Sequence, residues 1–509
     1  MSDLEGREDR LKASKLDVFD TSHLEGNLGK RSVRSGAATM VAQATKFIAT
    51  MGTTAVLARI LVPEDFGLFA IVGSVLIFVT MFQDAGLSMA TVQRENIDHD
   101  QVSTLFWINS LAGLLLAGLA VAISPVVGEV FGDDRLVGIM SAMAIPIFLS
   151  GICAQHGALL QRKMRFVVEQ GIVIGSQLTG AAAAIISAYL GAGYWALVIK
   201  SIAAALVVVI VRWTAVRWTP GLPRRKCGVR PMLSFGASLT VGRLFSELSQ
   251  NLDNVLLGAV WGPSALGFYS KAYGLLTLPI RQINAPVGMV ALPALSRLQG
   301  DPIKFRSFYR QGLELVAMIG MPIIAFCTVE AEDIVLIMLG EGWGESVIIF
   351  RALAPAAFVG TFNVATGWLL VPLGRSRVLL WTSVGVSVVT ILGFVVGLRW
   401  GGLGVAISYS VTSMLTIVPS LFIASRKSPL RLSDIGKSLY RPAFSAIGSG
   451  ALAFYIEMHL SLGNVILDTG VLLAVYLLLF ALSFICLPGG FAFAKSAVAM
   501  GQRTFLRTT

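Results

Sequence analysis

From Gly36 onward the chain consists of runs of about 20 nearly uncharged residues separated by short polar stretches. Wound as a helix rising 1.5 Å per residue, such a run crosses ~30 Å of hydrocarbon with its backbone N–H and C=O groups bonded internally. No other feature constrains the fold as tightly, because a soluble core has no room for so many wholly apolar helices. Fourteen runs are legible, over 36–61, 66–90, 103–124, 136–160, 167–190, 193–211, 232–258, 266–294, 311–329, 347–372, 378–398, 402–423, 442–461 and 464–487. Composition agrees. Hydrophobic residues make up 55% of the chain and charged residues only 14%, against roughly 25% charged in soluble domains, and the mean hydropathy is +0.76. The fold expected is an all-α polytopic membrane protein of about 14 transmembrane helices. A secreted disulfide scaffold, a disordered chain and an ordinary cytosolic enzyme are excluded.

Charge sets the topology. With the N-terminus inside, 31 of the 40 Lys and Arg fall in cytoplasmic segments and two, Arg135 and Arg399, fall in external loops. The 212–230 loop is densely basic, whereas the stretch from Glu330 to Glu345 holds five acids and no Lys or Arg. The positive-inside rule then puts both termini in the cytoplasm. The same rule accounts for the net charge of +11 without nucleic acid. Cys153, Cys227, Cys327 and Cys486 are too scattered for a zinc site or a disulfide framework. No Walker A, HExxH or GxSxG pattern is present, so no catalytic residue, cofactor or metal is expected.

An internal repeat divides the chain. VPEDFGLF (62–69) returns as GPSALGFY (262–269), which places Pro63 on Pro263 and Gly67 on Gly267. Gly36 and Ala37 fall on Gly236 and Ala237 at the same offset, and Gly132 and Pro146 match Gly340 and Pro355 after a small drift. The organisation expected is a disordered cytoplasmic tail (1–35), an N-lobe of six spans (36–211) and a basic linker (212–231). A C-lobe of six spans (232–425), two appended spans (426–487) and a cytoplasmic tail (488–509) follow. An even-helix repeat keeps its topology, so the lobes relate by an axis along the membrane normal, as in transporters.

Several stretches resemble a known family. They are ARILVPEDFGLFAI (58–71), FQDAGLSMATVQ (82–93) and STLFWIN (103–109), with QNLDNVLLG (250–258), GFYSKAYGLLTLP (267–279) and ALPALSRLQGD (291–301) in the second lobe. The chain resembles the Wzx-type lipid-linked oligosaccharide flippases of the multidrug/oligosaccharidyl-lipid/polysaccharide (MOP) exporter superfamily, nearest to colanic-acid and succinoglycan exporters. That resemblance implies a bacterial inner-membrane protein carrying an undecaprenyl-pyrophosphate-linked oligosaccharide, with membrane lipids, a polysaccharide polymerase and export proteins as its partners.

Polar residues inside the spans are costly and need a reason. In span 1, Gln43, Lys46 and Thr50 lie with Thr39 and Thr54 within an arc of about 80°. In span 7, Arg243, Glu247, Gln250 and Asn254 share an arc of about 60°. The repeat superposes the two rows, so both are expected to line a water-filled cavity, with helix–helix glue as the alternative. Arg281 lies mid-span in helix 8 on a small, polar face. Basic residues at that depth suit a phosphate-bearing cargo. Asp84, Glu247, Asp253 and Glu314 are candidates either for ion coupling or for structural pairing, and Glu247 stands at i+4 from Arg243. The rival functions are a cation-coupled multidrug exporter of the same superfamily and a membrane glycosyltransferase or polymerase. The first calls for a carboxylate-rich cavity and the second for a large catalytic loop.

Overall fold

The computed structural model describes residues 28–84, 87–94, 97–224, 230–459 and 464–491. Side chains are described for 42–83, 87–94, 97–224, 250–284, 286–459 and 464–491. Among the described residues every regular element is helical, and ten helical stretches are long and apolar enough to cross a membrane. The chain divides into two compact units, Met1–Gly267 and Phe268–Thr509.

The first unit contains α1 (Leu28–Ile60), α2 (Pro63–Asp84), α3 (Leu87–Gln93), α4 (His99–Phe131), α5 (Arg135–Arg162), α6 (Phe166–Tyr189) and α7 (Trp195–Val216). It also holds the first part of α8 (Arg230–Arg297), inside which the division falls. Within it α4 packs on α5, α6 on α7, and α1 on α6. The start of α4 is fixed by a capping box, in which the Gln101 N–H donates to Asp98 Oδ1 at 2.7 Å. Its end is fixed by Gly132 in the left-handed region (φ 67°). Just beyond, Arg135 Nε donates to Asp133 Oδ1 at 3.0 Å and holds that carboxyl below its usual range, while its Nη2 pairs with Glu64.

The 217–224 segment after α7 folds back along one face of α4. Trp218 Nε1 donates to His99 Nδ1 at 3.0 Å, and the Gly221 N–H donates to Ser103 Oγ at 2.9 Å. Trp107 Nε1 donates to the Gly221 carbonyl at 2.8 Å, and Arg224 pairs with Asp100 at 2.7 Å. Residues 99, 100, 103 and 107 recur at helical spacing, so a single face of α4 holds this end of the basic linker.

Two spans expected over 232–258 and 266–294 form one helical stretch, α8, broken at Gly262 (φ 78°, ψ −177°). Only glycine adopts that conformation readily, so one residue makes the turn. The repeat-related turn between α1 and α2 takes two residues, Leu61 and Val62. The repeat is also a contact. A Cβ on Gly67 would lie 1.7 Å from the Pro263 carbonyl oxygen, and one on Gly267 would lie 1.9 Å from that of Pro63. The equivalent segments thus meet reciprocally, backbone against backbone, as small residues allow where lipid offers no hydrophobic drive to association.

The second unit contains α9 (Pro302–Val329), α10 (Ala331–Leu339), α11 (Gly344–Leu370), α12 (Ser376–Gly397), α13 (Gly401–Ser425), α14 (Leu432–Glu457) and α15 (Val465–Cys486). Asp301 caps α9, accepting from the Lys304 N–H at 3.1 Å. Phe305, Tyr309, Leu313 and Ala317, each four residues apart, turn one stripe of α9 into the core against Ala365, Trp368 and Leu369 of α11. The Tyr309 hydroxyl, buried in that stripe, donates to the Ala365 carbonyl at 3.0 Å. In contrast, α12 and α13 expose Trp381, Leu392, Val395, Met414, Leu415 and Phe422, a surface suited to hydrocarbon. The acid-rich stretch read as a loop contains α10, whose first turn carries Glu332 and Asp333 where a helix N-terminus favours negative charge.

Gly67→Ala and Gly267→Ala should each destabilise the protein by roughly 1–3 kcal/mol through overpacking, seen as a lower unfolding temperature and lower yield. Gly52→Ala, where a Cβ meets nothing within 4 Å, should leave both unchanged.

Candidate functional site

The polar row of α1 is present as the sequence suggests. Gln43, Lys46 and Thr50 are half-buried, and Lys46 Nζ donates to Gln170 Oε1 of α6 at 3.2 Å. Among the described residues the partner of Lys46 is this neutral amide, which does not offset the ammonium charge. On α8, Gln250 is exposed and Asn254 half-buried. Asp253 is buried, and its Oδ1 accepts from the Asn254 N–H at 2.8 Å. Arg281, in the second unit, is exposed. The side chains of Asp84, Arg243 and Glu247 lie outside the described residues, as does the contact expected between the last two.

Glu314 is buried on α9 and accepts from Arg441 Nη1 of α14 at 2.8 Å. One and two turns before it on α9 stand Arg310 and Arg306, and Arg306 pairs with Asp434, also of α14. Three guanidiniums therefore face two carboxylates between α9 and α14. The surplus charge resides on Arg310, whose Nε is buried without a hydrogen-bond partner. Asp434 additionally accepts from the Arg431 N–H at 2.9 Å, closing the start of α14.

The first unit holds a comparable pair that the sequence reading passed over. Arg212 of α7 pairs with Glu169 of α6, and its Nη1 lies 3.6 Å from Cys153 Sγ. Gly157 makes room for this guanidinium, since a Cβ there would lie 3.0 Å from its Cζ. Beside it His156 stacks on Trp213 with ring centroids 4.4 Å apart, and its Nε2 donates to the Trp218 carbonyl at 3.1 Å. A sequence signal existed. Glu169 is an acid within an apolar run, and Arg212 closes the next span, so antiparallel packing brings their ends together.

Chemically, these arrangements are ion pairs, hydrogen-bonded helix crossings and partly compensated cations. Among the described residues no group of three or more His, Cys, Asp or Glu stands at metal-holding spacing.

Residues 56–348 match the profile of a family described as "Polysaccharide biosynthesis protein". The teichuronic acid biosynthesis protein TuaB of Bacillus subtilis (strain 168) is 26% identical over 385 residues, covering 75% of this chain and 80% of that protein. The lipopolysaccharide biosynthesis protein WzxC of Escherichia coli (strain K12) is 24% identical over 375 residues, covering 72% and 75%. Among solved structures, the lipid II flippase MurJ in an inward closed conformation shares the fold, with a TM-score of 0.71 at 13% identity, over 89% of this chain and 98% of that one.

Arg441→Ala should strand the buried Glu314 carboxylate and cost about 3–5 kcal/mol, read as a depressed unfolding temperature of the purified protein. Adding Glu314→Ala should recover part of that loss, because no unpaired buried charge remains.

Proposed function

Because the chain belongs to the polysaccharide biosynthesis protein family, we propose that it carries an undecaprenyl-pyrophosphate-linked oligosaccharide repeat unit across the bacterial inner membrane by alternating access. The coarser statement needs no proposal. The chain is a multi-pass membrane protein, a Wzx-type polysaccharide flippase of the MOP superfamily and not an enzyme. The observation that supports the finer reading is the fold shared with the lipid II flippase MurJ, over nearly the whole of that protein. In this reading fourteen spans form two six-helix lobes, 36–211 and 232–425, plus two appended helices, with both termini cytoplasmic.

The physics of the cargo divides the work. A polyprenyl tail is at home in hydrocarbon and needs no shelter. The sugars and the doubly charged pyrophosphate are the barrier, since burying them in lipid without partners is prohibitive. The protein's task is therefore a polar path with cations at the depth of the phosphates. Lys46, Arg243 and Arg281 supply the charge, with Gln43, Thr50, Gln250 and Asn254 hydrogen-bonding sugar hydroxyls. Guanidinium grips phosphate through a two-pronged fork, whereas ammonium acts as a point charge.

Deletion of the gene should leave lipid-linked repeat units on the cytoplasmic leaflet and abolish surface polysaccharide. Normal polymer in a clean deletion without a paralogue would refute the assignment.

Arg281→Ala should abolish export at normal protein abundance, and Arg281→Lys should restore it partly, because charge survives while the fork is lost. Full activity in the alanine variant would remove Arg281 from the cargo path.

Reporters placed at 330–345 and at 212–230 should report the periplasm and the cytoplasm respectively. Both on one side would overturn the fourteen-span topology.

A further inference from the structure

The second unit contains an acidic group that the account above leaves idle. α9 ends at Val329 and α10 begins at Ala331, so Glu330 closes one helix and opens the next. The Glu330 N–H is used, donating to the Phe326 carbonyl at 3.0 Å. Its side chain is only 2% exposed and makes no cap bond to the free N–H groups of α10. Carboxylate atom Oε2 is buried without a hydrogen-bond partner.

What surrounds this carboxyl is also acidic. The Thr469 hydroxyl, on the first turns of α15, donates to Asp333 Oδ2 at 3.5 Å and lies near enough to Glu330 to favour its charged form. Asp468 of α15 lies alongside, and Glu457 at the end of α14 presents a second buried carboxylate oxygen, Oε2, without a partner. Glu332 on α10 is exposed at the rim. The positive charge facing the group is Arg351 of α11, whose Nη2 stands 4.0 Å from Glu332 Oε2, on the exposed side. Among the described residues no salt bridge reaches Glu330 or Asp333, and Arg351 acts on Glu457 as well as on Glu332.

We propose that this cluster is a proton-binding site in which the Glu330 carboxyl takes the proton. A divalent ion would need three or more ligands at metal spacing, and the described residues offer no such set. A proton needs one basic oxygen. Burial favours the neutral acid at Glu330 and raises its proton affinity; the Thr469 hydroxyl opposes this, and the charges of Asp333 and Asp468 add to it. Asp333 is pushed the same way by burial and then by Glu332. The dipoles of α9 and α10 meet at Glu330 with opposite signs and offset one another. Burial and like charge therefore decide. Protonation removes a buried charge that the Thr469 hydroxyl offsets only in part and leaves a neutral carboxylic acid. In the proposed topology this site opens towards the periplasm, where a coupling proton enters. That role rests on the transport reading, whereas the bound proton does not.

The test is infrared difference spectroscopy on the purified full-length protein across a pH titration, reading the C=O stretch of protonated carboxylic acids. A protonated band is expected in the wild type, lost in Glu330→Gln and kept in the rim control Glu332→Gln. Asp333→Asn removes a neighbouring negative charge and should move the titration of the band to lower pH, which keeps the site testable if Glu330→Gln folds poorly. Superimposable wild-type and Glu330→Gln spectra, or a band indifferent to Asp333→Asn, would overturn the proposal. A Glu330-dependent band in a protein whose deletion leaves polymer export intact would retain the proton site and reject the transport reading.

Discussion

In hydrocarbon no water waits to satisfy a polar group, so every backbone amide and buried charge must find its partner within the protein. That constraint explains why every regular element among the described residues is a helix and why Glu169 and Glu314 within them are paired with arginines. Glu169 with Arg212, and Glu314 with Arg441, join adjacent helices within the first and second unit respectively. Such pairs seldom add net stability over an apolar replacement, yet removing one partner is severe. They fix which helix faces which. Glu330 departs from that pattern within the described residues, as a buried carboxylate with no salt-bridge partner and with Oε2 unbonded.

Where charges are absent, small residues do the joining. Lipid tails are as apolar as leucine, so helices gain by close approach rather than by leaving water. The reciprocal meeting of Gly67 with Pro263 and of Gly267 with Pro63 brings backbones within a distance that forbids a Cβ. Because the two contacts are copies of each other, a duplicated sequence has produced a self-complementary crossing. A cargo with a lipid tail and a charged head asks for the same division of labour. In the proposed reading the exposed apolar surfaces of α12 and α13 meet hydrocarbon, while the half-buried polar row of α1 lines the cargo path.

Much of this was legible in the sequence, for physical reasons. Hydrophobic run length reports helices directly, and the offset of 200 residues locates the equivalent 63–67 and 263–267 segments that meet in the structure. The row of Gln43, Lys46 and Thr50 followed from helical period alone. Pairings between distant elements were not legible. Arg441 read as a cytoplasmic loop charge, yet it meets Glu314 127 residues away. Glu169 and Arg212, 43 residues apart, needed helix packing to be known first. The helix over Ala331–Leu339 was hidden because nine residues with two acids in the first turn fall below any membrane-span signal. Glu330 looked like one loop acid among five, since its burial arises only when α14 and α15 cover it.

The central claim is that this chain itself moves a lipid-linked oligosaccharide between leaflets. Purified protein reconstituted into liposomes with a labelled polyprenyl-pyrophosphate oligosaccharide tests it most directly, using an impermeant glycosidase added outside. In protein-free vesicles about half the label is reachable, because two leaflets share it. With the flippase present, nearly all of it should become reachable with time. Label that stays half-protected in vesicles containing folded protein, across lipid-linked oligosaccharides of varied sugar composition and with or without a proton gradient, would contradict the account.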